Sequence, residues 1–446
     1  MKTAFLALAF GLTMTANVVR AQADQTPATS PTPLVNPVSL TNPGDASLDP
    51  AAATRRWLET VPAEKRAQSD AYFEGGYWIL LWDFLLGAAI SILLLASGLS
   101  ARLRDFAERT IGIRFLQPVL YGIPYVLVVF VLSFPLDLYV RYFREHAYGL
   151  ATQTFGPWFR EQLISLGVAV VGTSLVLMLL YAAFRRAQRS WWIWGTGIGV
   201  LFIVLSMMIA PVFIEPLFNT YKPLADPKIN QSILIMARAN EIPVHQVFQV
   251  DASRQTNRIS ANVSGIFGTA RIALNDNLLK QCSLPEIRAV MAHEMGHYVL
   301  NHAFKLILYF SLFVLGAFVF SRLLFDRAVA RWGTRWGVRG IADPAGFPLL
   351  ALLFTTYFFL LTPISNTAVR ITEREADAFG LNTAREPDGF ASVALKLASY
   401  RKLDPGRWEE IIFYDHPSGR ARIRMAMDWK AAKLPAGEAG ANSTTP

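Results

Sequence analysis

The chain has 446 residues, 53% of them hydrophobic and 17% charged, and its mean hydropathy of +0.32 excludes an ordinary soluble protein and implies several membrane spans. A net charge of +9 does not point to nucleic acid, because the arginines punctuate apolar runs and so read as topology information. The single cysteine, Cys282, excludes an intramolecular disulfide and a thiolate-rich zinc site, which leaves His and carboxylates to ligate any metal.

Residues 1–23 read as an export signal: Lys2, an apolar core, and Ala21-Gln22-Ala23 before Asp24, with an uncleaved first span as the alternative. Residues 24–70 read as a Pro/Ser/Thr-rich linker followed by a short amphipathic helix. Apolar runs at 77–99, 118–139, 163–184 and 191–214 make four spans of an N-terminal membrane domain over 71–216. Two further runs, 303–325 and 347–364, interrupt a second domain over 217–432; the last run is short and is followed by Pro363. Between the fourth and fifth spans, a helix near 228–240 and the strands VHQVFQV, SANVSG and ARIALN predict a small α+β unit. Residues 433–446 read as a disordered tail.

Arginines set the expected topology. Arg102, Arg104, Arg109 and Arg114 lie between spans one and two, Arg185, Arg186 and Arg189 between three and four, and Arg327, Arg331, Arg335 and Arg339 between five and six. All three loops fall on one side, which the positive-inside rule makes cytoplasmic. The strand region and the C-terminal segment then face the other side.

The α+β unit runs into AVMAHEMGHYVLNH, residues 289–302, in a chain with only six histidines. Ser283 and Glu286 form a capping box with Pro285 in the first turn, which predicts a helix starting there. On that helix His293 and His297 project from one face, where both imidazoles reach one ion, and Glu294 sits beside them, able to polarise a metal-bound water. His302 reads as an interfacial side chain at the membrane edge. A catalytic zinc takes three protein ligands and keeps an open position, so the third must come from elsewhere. In NTAVRITEREADAFG, residues 366–380, Asn366, Arg370, Glu373 and Asp377 fall on one helical stripe. Glu373 can ligate, Asp377 can hold a ligand imidazole through its other nitrogen, and Arg370 can orient or neutralise the carboxylates. Glu375 points away from the stripe and reads as surface.

HEMGH, then RITEREAD after two apolar spans, then DHPSGRARI at 415–423, resembles the CAAX prenyl protease family of integral-membrane zinc endopeptidases, in a bacterial-type member. APVFIEPLFNTYKPL at 210–224 and ASRQTNRISANVSGIFGTARIALNDNLL at 252–279 extend the similarity over most of 70–430. The resemblance implies a mainly α fold, a polytopic transmembrane helical bundle with a small α+β zinc metallopeptidase domain at the membrane face. It implies one Zn2+ held by His293, His297 and Glu373, with Glu294 as base and Asp377 as supporting acid. By the same resemblance His416 stabilises the oxyanion, Arg422 follows the His-Pro pair, and Asn262 stands by the strand along which substrate lies. The expected partners are a peptide or protein substrate, lipidated or not, and the lipid bilayer, with no nucleic acid. The expected location is a bacterial inner membrane, with the site facing the periplasm. A broad quality-control endopeptidase would use the same residues, and a zinc transporter with His-Glu-x-x-His in a membrane helix is the reading from another class.

Overall fold

The computed structural model describes residues 48–265, 270–397 and 400–433. The expectations for the export signal, for the linker up to residue 47 and for the tail beyond Lys433 lie outside these residues. The described part of the linker is helical: Asp49 accepts from the amide of Ala51 (2.8 Å) and caps the helix Pro50–Glu59. That helix buries Trp57 and Leu58 against Ala426 and Met427 of the C-terminal helix Gly419–Lys433.

Among the described residues, six helices are long and apolar enough to cross a membrane: Ala63–Ala96, Gln117–Ala147, Phe155–Arg186, Trp191–Leu217, His302–Trp336 and Pro344–Ala384. They pack on one another through Leu94, Tyr121, Tyr181, Phe184, Trp191, Phe318 and Phe354, while Trp78, Trp82, Val131, Val171, Phe213 and Leu360 stay on the outside. An apolar exterior is what hydrocarbon demands.

The arginine loops meet at one end of the bundle. Arg104 is buried and bonds Asp343 (2.6 Å) and the carbonyl of Gly337 (2.8 Å), Arg339 pairs with Glu108 (3.0 Å), and Arg185 bonds the carbonyl of Arg114. The HEMGH helix joins the bundle at the opposite end of His302–Trp336, a 35-residue helix about 50 Å long.

One expectation needs correcting here. The sixth span does not stop at Pro363: a single helix runs Phe347–Ala384 with the proline inside it. A proline there removes one donor and crowds the preceding turn, and hydroxyls next to it bond local carbonyls, Thr362 to Phe358 (3.2 Å) and Thr367 to that of Pro363 (2.7 Å). Neither carbonyl is the one whose helical donor the proline removes, that of Phe359, but spanning helices tolerate proline and this one runs on through it.

Beyond the fourth span, β1 (Tyr221–Pro223), β2 (Val247–Val250), β3 (Ala261–Ser264) and β4 (Arg271–Asn275) form a sheet in the order β1-β2-β4-β3. β2 and β4 are parallel and the other two pairs antiparallel, so β3 is an edge strand. β1, three residues containing a proline, was not legible in the sequence pattern. The sheet and the helix Pro227–Ala239 enclose Ile233, Val247, Ile272 and Leu274 together with Met291 and Met295 of the motif helix.

Candidate metal centre

The motif helix runs Leu284–Val299 and starts where its cap predicts: the Ser283 amide donates to Glu286 (2.6 Å), and Pro285 lies in the first turn. Glu286 is buried and also accepts from Ser392 (2.6 Å) and Lys396 (2.7 Å), which ties the helix start to the helix Pro387–Leu397. Met291, Ala292 and Met295 anchor one side in the core under the sheet, so His293 and His297 stand fixed on the other.

The helix Phe347–Ala384 crosses this one at close range, and glycines permit it. A Cβ on Gly380 would lie 3.0 Å from the backbone nitrogen of His293, and one on Gly296 3.2 Å from the Cα of Ala376. The glycine of HEMGH is therefore a packing residue. The contact brings Glu373 to both imidazoles: Glu373 Oε2 is 3.3 Å from Nε2 of His293, Oε1 is 3.5 Å from Nε2 of His297, and the two nitrogens are 3.2 Å apart. A tetrahedral ion with bonds of about 2.0–2.2 Å separates its donors by about 3.3–3.5 Å; each imidazole meets a different oxygen of Glu373, and one ligand atom from each of the three residues lies within 4.8 Å of the others, so the group could hold one cation.

Behind this triangle, Asp377 is completely buried, with Oδ1 2.8 Å from Nδ1 of His293 in a close contact that lies off the line of an ideal hydrogen bond. Arg422 donates to Asp377 (2.9 Å) and to Glu373 (3.2 Å) from the C-terminal helix. His416 places Nε2 3.3 Å from Glu373 and Nδ1 2.7 Å from Asp415. Burial holds His297 down at about 3 and so keeps it a neutral donor. For His293 burial also opposes the charged ring, but Asp377 and Glu373 outweigh it and raise the imidazolium above its ordinary value. Burial raises the Glu294 carboxyl to about 7, the value that suits a base working near neutrality.

These side chains line an open cleft of about 680 Å³, whose other walls are Ile259, Ser260 and Ala261 leading into β3, and the apolar residues Val290, Phe390, Val393 and Leu397. His293, Glu294, His297, Glu373, Asp377, His416 and Arg422 thus converge as the sequence predicts.

Three others do not join them. Arg370 does not neutralise the carboxylates: it bonds the carbonyls of Glu410 (2.8 Å) and Tyr414. Asn366 bonds the carbonyl of Ile412 (2.8 Å), so both residues of the stripe hold the segment that leads to His416. Asn262 does not line the cleft itself: it sits on β3 next to the lining residue Ala261, on the strand where the resemblance puts it, with its Oδ1 buried and without a hydrogen bond. Conversely, His302 is not an interfacial side chain. It is 1% exposed and stands against His297, and the half-exposed Glu375 reaches it. The motif helix itself ends before the fifth span and packs on the sheet, which sets the transporter reading aside.

An HExxH helix beside a small sheet, completed by a carboxylate from a spanning helix, defines an integral-membrane metalloendopeptidase. The chain belongs to peptidase family M48, whose profile matches residues 223–430, and the profile described as CAAX prenyl protease N-terminal, five membrane helices, matches 53–220. It is 32% identical to the uncharacterized metalloprotease YhfN of Bacillus subtilis over 75% of this chain and 78% of that one. It is 27% identical to CAAX prenyl protease 1 of Saccharomyces cerevisiae over 67% of this chain and 69% of that one. The crystal structure of Ste24p from S. mikatae shares its fold with a TM-score of 0.71 at 20% identity, covering 85% of this chain and 94% of that one.

Proposed function

We propose that His293, His297 and Glu373 hold one zinc ion and that Glu294 is the general base of peptide-bond hydrolysis. The observation that carries this is the triangle of His293, His297 and Glu373, one ligand atom of each within 4.8 Å of the others, with Glu294 one residue from the first ligand and a cleft open beside them. When bound, zinc supplies Lewis-acid polarisation of the scissile carbonyl and acidifies water. Glu294 takes the proton from the attacking water and returns it to the leaving amine. His416, lining the same cleft, stabilises the oxyanion that develops on the carbonyl. Asp377 orients His293 through Nδ1, and Arg422 offsets the charge of the two buried carboxylates.

The cleft also supports a reading of the substrate. β3 offers an unpaired edge for an extended peptide, which main-chain pairing would hold with little regard to sequence. The apolar wall of Val290, Phe390, Val393 and Leu397 suits aliphatic side chains beside the scissile bond. With relatives named as CAAX prenyl proteases, we infer that this chain cleaves C-terminal CAAX-box peptides, lipidated or not. The gathering of the arginine loops at the far end of the bundle supports a bacterial inner-membrane protein with its site toward the periplasm.

The test is Glu294→Gln in purified protein, with zinc content and cleavage measured side by side. Zinc stays bound while hydrolysis falls about 10²- to 10⁴-fold, the ordinary share of a general base; a variant that still cleaves would sink the assignment. Mass spectrometry of products from a farnesylated CAAX peptide and from an unfolded protein separates peptide processing from broad quality control.

A further inference from the structure

The two imidazoles of the triangle are supported in different ways. Nδ1 of His293 faces the carboxylate of Asp377, whereas Nδ1 of His297 stands 2.9 Å from Nδ1 of His302. His302 opens the next helix. Asn301 before it takes a left-handed conformation (φ 55°), which ends the motif helix and turns the chain so that the His302 ring folds back onto His297. On its far side, Nε2 of His302 lies 2.9 Å from Oε2 of Glu375, which Lys305 holds at 2.5 Å.

Hydrogen-bond bookkeeping allows one neutral arrangement of this row with His297 as a ligand. To offer Nε2 to a metal, His297 must carry its proton on Nδ1 and donate it. Nδ1 of His302 must then accept, so the proton of His302 sits on Nε2, where only an acceptor can face it. Glu375 is that acceptor, and Lys305 is the cation that keeps its carboxylate in place. We propose that His302 and Glu375 are positioning residues that lock His297 in its metal-binding tautomer, an inference that rests on the zinc reading above. The relay draws on the first turn of the fifth span for His302 and Lys305 and on the helix of Glu373 for Glu375. Both membrane helices therefore orient a ligand that neither of them carries.

The experiment measures zinc affinity of the purified full chain by competition with a chromophoric chelator. It compares wild type with His302→Leu, His302→Asn, Glu375→Leu and Glu375→Gln. Leu fills the hole without an acceptor, while Asn keeps an oxygen near the position of Nδ1. His302→Leu is expected to weaken zinc about 10- to 100-fold, the usual cost of losing an outer-shell partner, with His302→Asn well inside that loss. A packing role would favour the opposite ranking, since Leu suits a buried hole better than Asn. Glu375 is 42% exposed, so its variants fold even where those of His302 fail; Glu375→Leu should weaken zinc and Glu375→Gln, which still accepts, should restore most of the affinity. Wild-type affinity in His302→Leu, or equal losses within the Leu and polar pairs, would overturn the relay. Absence of zinc binding by the wild type would instead overturn the reading of the site itself.

Discussion

Gly380→Ala sets two effects of known sign against each other. In a helix interior alanine is favoured over glycine by about 1 kcal/mol, so a free site would gain. Here the added methyl meets the backbone nitrogen of His293 at 3.0 Å, its Cα at 3.1 Å and its Cβ at 3.4 Å. These atoms cannot swing aside, because they belong to a helix held by its cap and by buried methionines. Overpacking of this kind costs about 1–3 kcal/mol, so the variant should lose up to about 2 kcal/mol net. The helices must part by a few tenths of an ångström, and that shift falls on donors now 3.2–3.5 Å apart. If about 1.4 kcal/mol of it appears in the transition state, kcat/KM falls tenfold. Gly76→Ala is the control, since nothing lies within 4 Å of its added Cβ. Denaturant unfolding, chelator competition and turnover of a quenched peptide should show Gly76→Ala unchanged or gaining and Gly380→Ala losing on all three. Equal behaviour of the two variants would refute the claim that this helix contact sets the metal geometry.

Arg422→Met leaves Glu373 and Asp377 without their buried counter-charge, which costs about 3–5 kcal/mol in the metal-free protein. Because a bound cation restores part of that charge, the stability gap between zinc-loaded and metal-free forms should widen; an unchanged gap speaks against the role. Arg370→Met acts elsewhere: it frees the carbonyls of Glu410 and Tyr414, so turnover should fall about tenfold or more while zinc affinity holds. Loss of zinc in that variant would tie Arg370 to the carboxylates after all. Burial, helped by Glu286, pushes the Cys282 thiol up to about 12 from 9.0. At pH 8 the folded chain should then alkylate about a thousandfold more slowly than the unfolded one, and similar iodoacetamide rates would contradict the burial.

The sequence carried most of this site because its determinants are local and periodic. Ser283, Pro285 and Glu286 announce the motif helix, and offsets of seven and eleven place Glu373 and Asp377 on one face of another. What a stripe cannot say is which partner its residues meet. Arg370 shares a face with two carboxylates, yet its guanidinium spends its donors on carbonyls of a segment 40 residues away, while the charge is met by Arg422 from the C-terminal helix. His302 and Glu375 escaped for a related reason. The left-handed turn at Asn301 breaks the periodicity between His297 and His302, and Glu375, two residues from Glu373, lies off the ligand face by construction. Pro363 misled because a proline's cost to a helix is real, yet the spanning helix runs on through it.

The helix Phe347–Ala384 explains why the site belongs to the membrane bundle and not to the α+β unit alone. Its N-terminal half packs through Phe347, Leu350 and Phe354 into the core of the spans. Its C-terminal half packs through Leu381 and Ala384 into the two cores around the sheet and the C-terminal helix. From Phe354 to Glu373 is about 28 Å of continuous helix, so the rotation fixed among the spans is carried to the proposed metal ligand. A slip of one residue in that register would turn Glu373 by about 100° and take it out of reach of both imidazoles. On the zinc reading proposed above, helix–helix packing among the spans is therefore a determinant of metal binding as direct as the ligands themselves.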